Sequence, residues 1–358
     1  MERIPLARPW IDERELEALR SVLESGQLVQ GPKVEELETR IAARCGRRFG
    51  VAVSSGTAAL ELALIALEIG VDDEVICPSL SWPSPGHAIA LRGATPRWLD
   101  VDAASWNLDV EAIEGARSPR SKALIAIDQF GNPVDAAALE AKSRGLLLIE
   151  DAACALGSAF SAERACGSLG LISCLSFHPR KLLTTGEGGM CLCDDPALAE
   201  TLRILRNHGQ RRPGEFVRAS GNYRLSEVAA AIGLVQLDKL DALIEERRFW
   251  AKRYRETLDL EFQRCPAGAH HNVQTLGALL PPRFDASARD QLLTEVREEG
   301  VELGRLSYGM HRLASLETAA APCPRSDDIL ARGLALPLLP GMSEAQFQRV
   351  VVSLVRRL

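Results

Sequence analysis

Three short stretches of the chain hold residue types that do chemistry. Residues 51–60 read V-A-V-S-S-G-T-A-A-L: an apolar run stops at Ser54-Ser55-Gly56, and a helix is expected to start at Thr57. The unpaired N–H groups at a helix start, with the positive end of its dipole, attract phosphate. Gly56 lets the backbone approach closely, and Thr57 adds a hydroxyl donor. The plain alternative is an ordinary helix cap. Residues 146–155 read L-L-L-I-E-D-A-A-C-A, an apolar run ending in Glu150-Asp151. In open α/β sheets ligands sit beyond the carboxyl ends of strands, where a carboxylate can pair with a cofactor's ring nitrogen. Asp151 could equally cap the helix that follows. Residues 175–190 read L-S-F-H-P-R-K-L-L-T-T-G-E-G-G-M. Lys181 lies just past an apolar run, in a turn marked by Pro179, with Gly186, Gly188 and Gly189 close behind. A lysine amine shielded from water attacks carbonyl carbon and forms a Schiff base. Ser176, five residues earlier, can reach a phosphate oxygen, whereas most lysines are solvated surface charges. The weight lies in the conjunction. A phosphate turn, a carboxylate for a protonated pyridine and an amine for an aldehyde follow one another, and together they suit pyridoxal phosphate.

These residues need a sheet to bring them together. Apolar runs at residues 49–53, 74–77, 123–127, 146–149, 172–177 and 189–193 alternate with helical patterns such as residues 57–69. Runs apolar on every position suit strands buried on both faces, and the alternation argues for an α/β sheet with crossover helices. Residues 12–23 and 34–44 read as amphipathic helices ahead of it, and residues 226–258 as one long helix behind it. The remainder reads as a smaller α+β unit. We therefore expect a large α/β domain over residues 1–240, N-terminal arm included, and a small C-terminal domain over residues 241–358.

Composition narrows the function classes. Of 358 residues, 46% are hydrophobic and 25% charged, so a packed globular protein is expected. A net charge of −6 and only short arginine runs leave no electrostatic footprint for nucleic acid. The nine cysteines form no C-x-x-C pair and no zinc spacing, so reduced thiols in a cytoplasmic protein are expected, with no metal. Cys191 and Cys193 are expected on opposite faces of their strand. The N-terminal residues lack the apolar core of a signal peptide. No G-x-G-x-x-G turn follows the first strand, which argues against a dinucleotide dehydrogenase.

In these motifs, S-S-G-T-A-A-L, I-E-D-A-A, S-F-H-P-R-K-x-x-T-T-G-E-G-G and G-N-Y-R-L-S, with weaker agreement at P-S-L-S-W, F-G-N-P-V-D and L-P-L-L-P, the chain resembles the DegT/DnrJ/EryC1/StrS family of sugar aminotransferases. The resemblance runs from about Pro9 to the C-terminus. It implies fold type I of the pyridoxal-phosphate enzymes: a large mixed-sheet α/β/α domain and a smaller α+β domain. It also implies roles. Lys181 would hold the cofactor and shuttle protons, and Asp151 would pair with the pyridinium nitrogen. Gly56, Thr57 and Ser176 would bind the phosphate, and Trp82 would stack on the ring, although a core aromatic is the open alternative. Asn222 would reach the phosphate of a second subunit, so each site of a homodimer would need two chains. Arg224 would hold a donor carboxylate or sugar diphosphate unless it forms an intrachain salt bridge, and His311, in Y-G-M-H, would lie near substrate or be structural. One departure stands out: Cys154 sits where the family has glutamine or histidine near the cofactor's phenolic oxygen, and a thiol is a weak donor there.

The expected reaction is transfer of an amino group from L-glutamate to a keto sugar, one carried on a nucleotide. Relatives that dehydrate sugars replace the lysine with histidine, and this chain keeps Lys181. A cofactor-binding regulator without turnover is the alternative of another class, with Cys154 its one support.

Overall fold

The computed structural model describes residues 2–316 and 322–358. Seven strands form the central sheet: β1 (Phe49–Val53), β2 (Glu74–Pro78), β3 (Thr95–Leu99), β4 (Ser121–Ile127), β5 (Leu147–Asp151), β6 (Ile172–Ser176) and β7 (Gly189–Cys193). Their order is β1-β7-β6-β5-β4-β2-β3. The pairs β6–β5, β5–β4, β4–β2 and β2–β3 are parallel, and β7 runs antiparallel to both β1 and β6. The expected mixed sheet is thus one reversed strand in an otherwise parallel set. The reversal lets β7 return directly from β6 through residues 177–188, the segment that carries Lys181, without a crossover helix.

Strands buried on both faces explain the continuous apolar runs. Cys191 and Cys193 do not face opposite ways: both lie in the apolar layer that holds Val51, Val53 and Leu62. Side chains alternate along a strand, so residues two apart share a face. Neither forms a disulfide.

Helices α1 (Glu13–Ser25) and α2 (Pro32–Arg44) pack on α4 (Glu227–Thr257). The start of α1 is fixed by a capping box between Asp12 and Glu15. The first turn of α2 is fixed from far away: the Glu227 carboxylate accepts from the N–H groups of Gly31, Lys33 and Val34 at 2.8–2.9 Å. Helix α4 passes through two cores. Its first half, with Leu237 and Ile244, packs beneath the large sheet. Its second half, with Trp250 and Tyr254, packs with Leu276, Leu334 and Phe347 against an antiparallel sheet of β8 (Glu261–Phe262), β9 (Leu276–Leu279), β10 (Gly304–Arg305) and β11 (Gly333–Leu336), in the order β8-β9-β11-β10. Ile4, fully buried, joins that second core by pairing with Val301. Among the described residues no helix is long and apolar enough to cross a membrane.

Candidate active site

Because β1, β2, β4, β5 and β6 all run one way, their carboxyl ends share one edge. Val53, Asp151 and Ser176 end three of them there. Helix α3 (Gly56–Ala66) begins at the same edge. Ser55 caps it, accepting from the Ala58 N–H at 3.0 Å. A cap serves one of the orphan donors of the first turn and leaves the Gly56 and Thr57 N–H groups without helical partners. Gly56 lies against Ser176: a Cβ at position 56 would come within 2.7 Å of the Ser176 Cβ and 3.1 Å of its Oγ. Only glycine allows this approach, and it sets the Ser176 hydroxyl beside the free N–H groups. The Thr57 hydroxyl meets that of Ser84 at 2.9 Å. Ser84 was not singled out in the sequence; it opens the next helix along the chain and reaches the cradle only through folding. The cradle of N–H groups and hydroxyls fits a phosphate group.

Lys181 is held by the hairpin-like return from β6 to β7. Phe177 accepts at its carbonyl from Thr184 Oγ1 and the Thr185 N–H, both at 3.0 Å, and its own N–H reaches the Gly188 carbonyl at 2.8 Å. The Lys181 N–H bonds to the His178 carbonyl at 2.8 Å, closing the turn that Pro179 marks. The side chain projects to Cys154, Nζ to Sγ 3.0 Å. No carboxylate takes the amine in an ion pair among the described residues.

Asp151 is 5% exposed at the end of β5. Burial pushes its carboxyl up to about 6, against the lowering pull of the Ala153 N–H and the nearby Lys181 ammonium. Its one hydrogen bond is from the Ala153 N–H at 3.1 Å. A buried carboxylate with a single neutral donor, its pKa still raised despite Lys181, is short of counter-charge, which a protonated pyridine nitrogen would supply. On these observations the residues present fit pyridoxal phosphate: a phosphate cradle, an amine and an undersupplied acid on one edge.

The other candidates are placed less tightly. Trp82 is 61% exposed and meets Tyr308 edge-to-face, with centroids 5.3 Å apart. That excludes a core aromatic and leaves its face open. The Trp82–Tyr308 pair is set by a short antiparallel ladder of Leu80–Ser81 with Tyr308–Gly309. Among the described residues Arg224 forms no salt bridge; its guanidinium is taken by the Asn207 side-chain carbonyl, and its own N–H by Asn222 Oδ1 at 3.2 Å. Asn222 is exposed, on a bridge to Asn207. His311 is half-buried, with Nε2 2.9 Å from Asp327 Oδ1, so it braces the segment after Tyr308. Two residues absent from the motifs hold the site from behind. Asn272 Nδ2 donates to the Cys154 carbonyl at 2.9 Å, and Gln274 Nε2 to the Arg180 carbonyl at 2.8 Å.

Known proteins resemble this chain over nearly its whole length. The profile of the DegT/DnrJ/EryC1/StrS aminotransferase family matches residues 9–355. Among solved structures, the aminotransferase TlmJ from Streptoalloteichus hindustanus is 32% identical, with a TM-score of 0.92 over 99% of this chain and 98% of that one. DesI, solved in the presence of its TDP-sugar product, is 33% identical with a TM-score of 0.90 over 99% and 92%. A 3-amino-5-hydroxybenzoic acid synthase is 30% identical with a TM-score of 0.91 over 99% and 98%.

Proposed function

Because the chain belongs to the DegT/DnrJ/EryC1/StrS aminotransferase family, we propose that it carries an amino group from L-glutamate to the keto group of a nucleotide-linked sugar. It is a pyridoxal-phosphate-dependent aminotransferase of fold type I. The observation that carries the reading is the Lys181 amine, bonded to a thiol alone, on the strand edge that also holds buried Asp151 and the Gly56–Ser176 cradle.

When bound, pyridoxal phosphate supplies an aldehyde that condenses with amines and a protonated ring that draws electrons from the neighbouring carbon. The protein's own residues do the rest. The Gly56 and Thr57 N–H groups and the hydroxyls of Thr57, Ser84 and Ser176 bind the phosphate. Asp151, a carboxylate once a cation faces it, keeps the ring nitrogen protonated. Trp82 covers the ring. Lys181 Nζ would hold the cofactor, and its amine, once free, would take the proton from the donor's α-carbon. In the second half-reaction it delivers a proton to the carbon that bore the keto oxygen. Cys154 touches the lysine where the family places a stronger hydrogen-bond former, so Lys181 keeps a weakly bound amine. Exposed Asn222 is available to a second copy of the chain, and Arg224 beside it to a carboxylate or diphosphate. We place the enzyme in the cytoplasm as a homodimer with shared sites.

DesI, by its own description, makes a TDP-sugar, which supports the nucleotide-linked acceptor. The 3-amino-5-hydroxybenzoic acid synthase has a carbocyclic product by name, which makes a keto carbocycle the second acceptor class. The test is spectral. L-Glutamate should bleach the holoenzyme's absorption band and release 2-oxoglutarate. The aminated form should then recover its colour with one member of a panel of nucleotide keto sugars and keto cyclitols. Colour retained with every amino donor would leave a cofactor-binding regulator instead.

A further inference from the structure

A cleft of about 650 Å³ lies between the second half of α4 and the segment before β9. Arg248, Arg255, Arg264, His270 and His271 line it with Phe262, and no carboxylate does. Among the described residues none of the three guanidiniums has an ion-pair partner, although most arginines of this chain do. Burial pushes His271 down to about 4, and the Arg255 and Arg248 charges push the same way. Like charges gathered in a concave, partly desolvated place cost free energy unless an anion joins them. Arginine forks match phosphate oxygens in shape, and the Phe262 ring beside Arg255 offers a flat apolar wall.

The cleft's inner wall continues into the active site. His271 Nε2 meets the Phe130 carbonyl at 3.1 Å. The next residues, Asn272 and Gln274, hold the carbonyls of Cys154 and Arg180. Between them Val273 has φ +54°, and Phe130 has φ +63°. A β-branched residue in the left-handed region is a true outlier, and such strain clusters at ligand-binding and switch segments.

We propose that this cleft binds a phosphate-bearing small molecule and that its occupancy is transmitted through residues 271–274 to Cys154 and Lys181. The binding stands without the reaction assigned above; the transmission rests on that reading.

The experiment titrates the holoenzyme with inorganic pyrophosphate by calorimetry at physiological ionic strength, and in parallel follows the cofactor's absorption band. The unaltered protein should bind pyrophosphate more tightly than sulfate. Arg255→Gln with Arg264→Gln should weaken that binding by about tenfold or more, with glutamate turnover in the absence of pyrophosphate unchanged. Lys181→Ala should still bind, which separates failure of the cleft from failure of the transaminase reading. Saturating pyrophosphate should shift the absorption band or the glutamate turnover of the unaltered enzyme, and not of the double variant. Absence of binding, binding no tighter than that of sulfate, or binding indifferent to the two arginine changes would overturn the site. Binding without any effect on the band or turnover would overturn the transmission.

Discussion

Two lysines of this chain sit in opposite surroundings. Lys239, on α4, is 2% exposed, and its amine is bonded to both Glu15 oxygens at 2.6 and 2.8 Å and to Asp12 at 3.0 Å. Burial pushes the Glu15 carboxyl up, yet the bonds from Lys239, the Asp12 N–H and Gln236 bring it below the usual carboxylate range. Lys181 has one thiol at 3.0 Å. The same contrast repeats within one dipeptide. Glu150 accepts from the N–H groups of Gly167 and Leu169 and from Ser173 Oγ at 2.6–2.7 Å, whereas Asp151 faces the other way with one donor. Where a charge only holds the fold, the chain supplies its partners. Where it does chemistry, the partner is left to be brought in by the ligand.

The sharpest break of this comparison is at Lys181. Lys181→Ala should lower turnover by about 10³-fold or more while the melting temperature of the cofactor-free protein stays close to that of the unaltered chain. A large loss of stability would mean that this lysine too belongs to the scaffold. Lys239→Met should do the reverse. It strands Glu15 and Asp12, and should cost about 3–5 kcal/mol in denaturant melts, with turnover per folded molecule little changed.

Asp151 gives the comparison a pH signature. Its carboxyl is raised in the folded protein, from 3.8 to about 6. Below 3.8 both states are protonated and burial costs nothing. As pH rises from there to about 6 the unfolded chain ionises first, so the cofactor-free protein loses stability, and the loss is complete above the folded value. Asp151→Asn should remove this slope and stabilise the cofactor-free protein at pH 7 by about 3 kcal/mol at most, while cofactor affinity and turnover fall. Equal pH curves for the two proteins would show that Asp151 is already neutralised by Lys181. The smallest effect is expected at Cys154. Cys154→Gln, which restores the family's residue, should move the cofactor's absorption band and change turnover by less than about tenfold, since neutral hydrogen bonds are worth only about 1 kcal/mol.

The elements around the site were legible because local signals agree with the fold there. The stop at Ser54-Ser55-Gly56, the acid at a strand end and the lysine after Pro179 are each set within a few residues of sequence. The direction of β7 was not, since an apolar pentad reads the same in either orientation. Neither was the opposed-face reading of Cys191 and Cys193 sound, for the pleat repeats every second residue. Ser84, Asn272 and Gln274 reach the site over 27 to 118 residues of intervening chain, and spacing carries no trace of such returns. Arg224 and His311 took polar partners within the chain, Asn207 and Asp327, that pattern alone does not pair with them.

The pairing of Ile4 with Val301 has a consequence for biosynthesis. The Ile4 N–H reaches the Gly300 carbonyl, and the Ile4 carbonyl takes the Glu302 N–H, both at 2.8 Å. At ordinary ribosome speeds the opening residues therefore emerge roughly 15 to 60 seconds before their partners exist. Ile4 can therefore be buried in the second core only after residue 301 has been made.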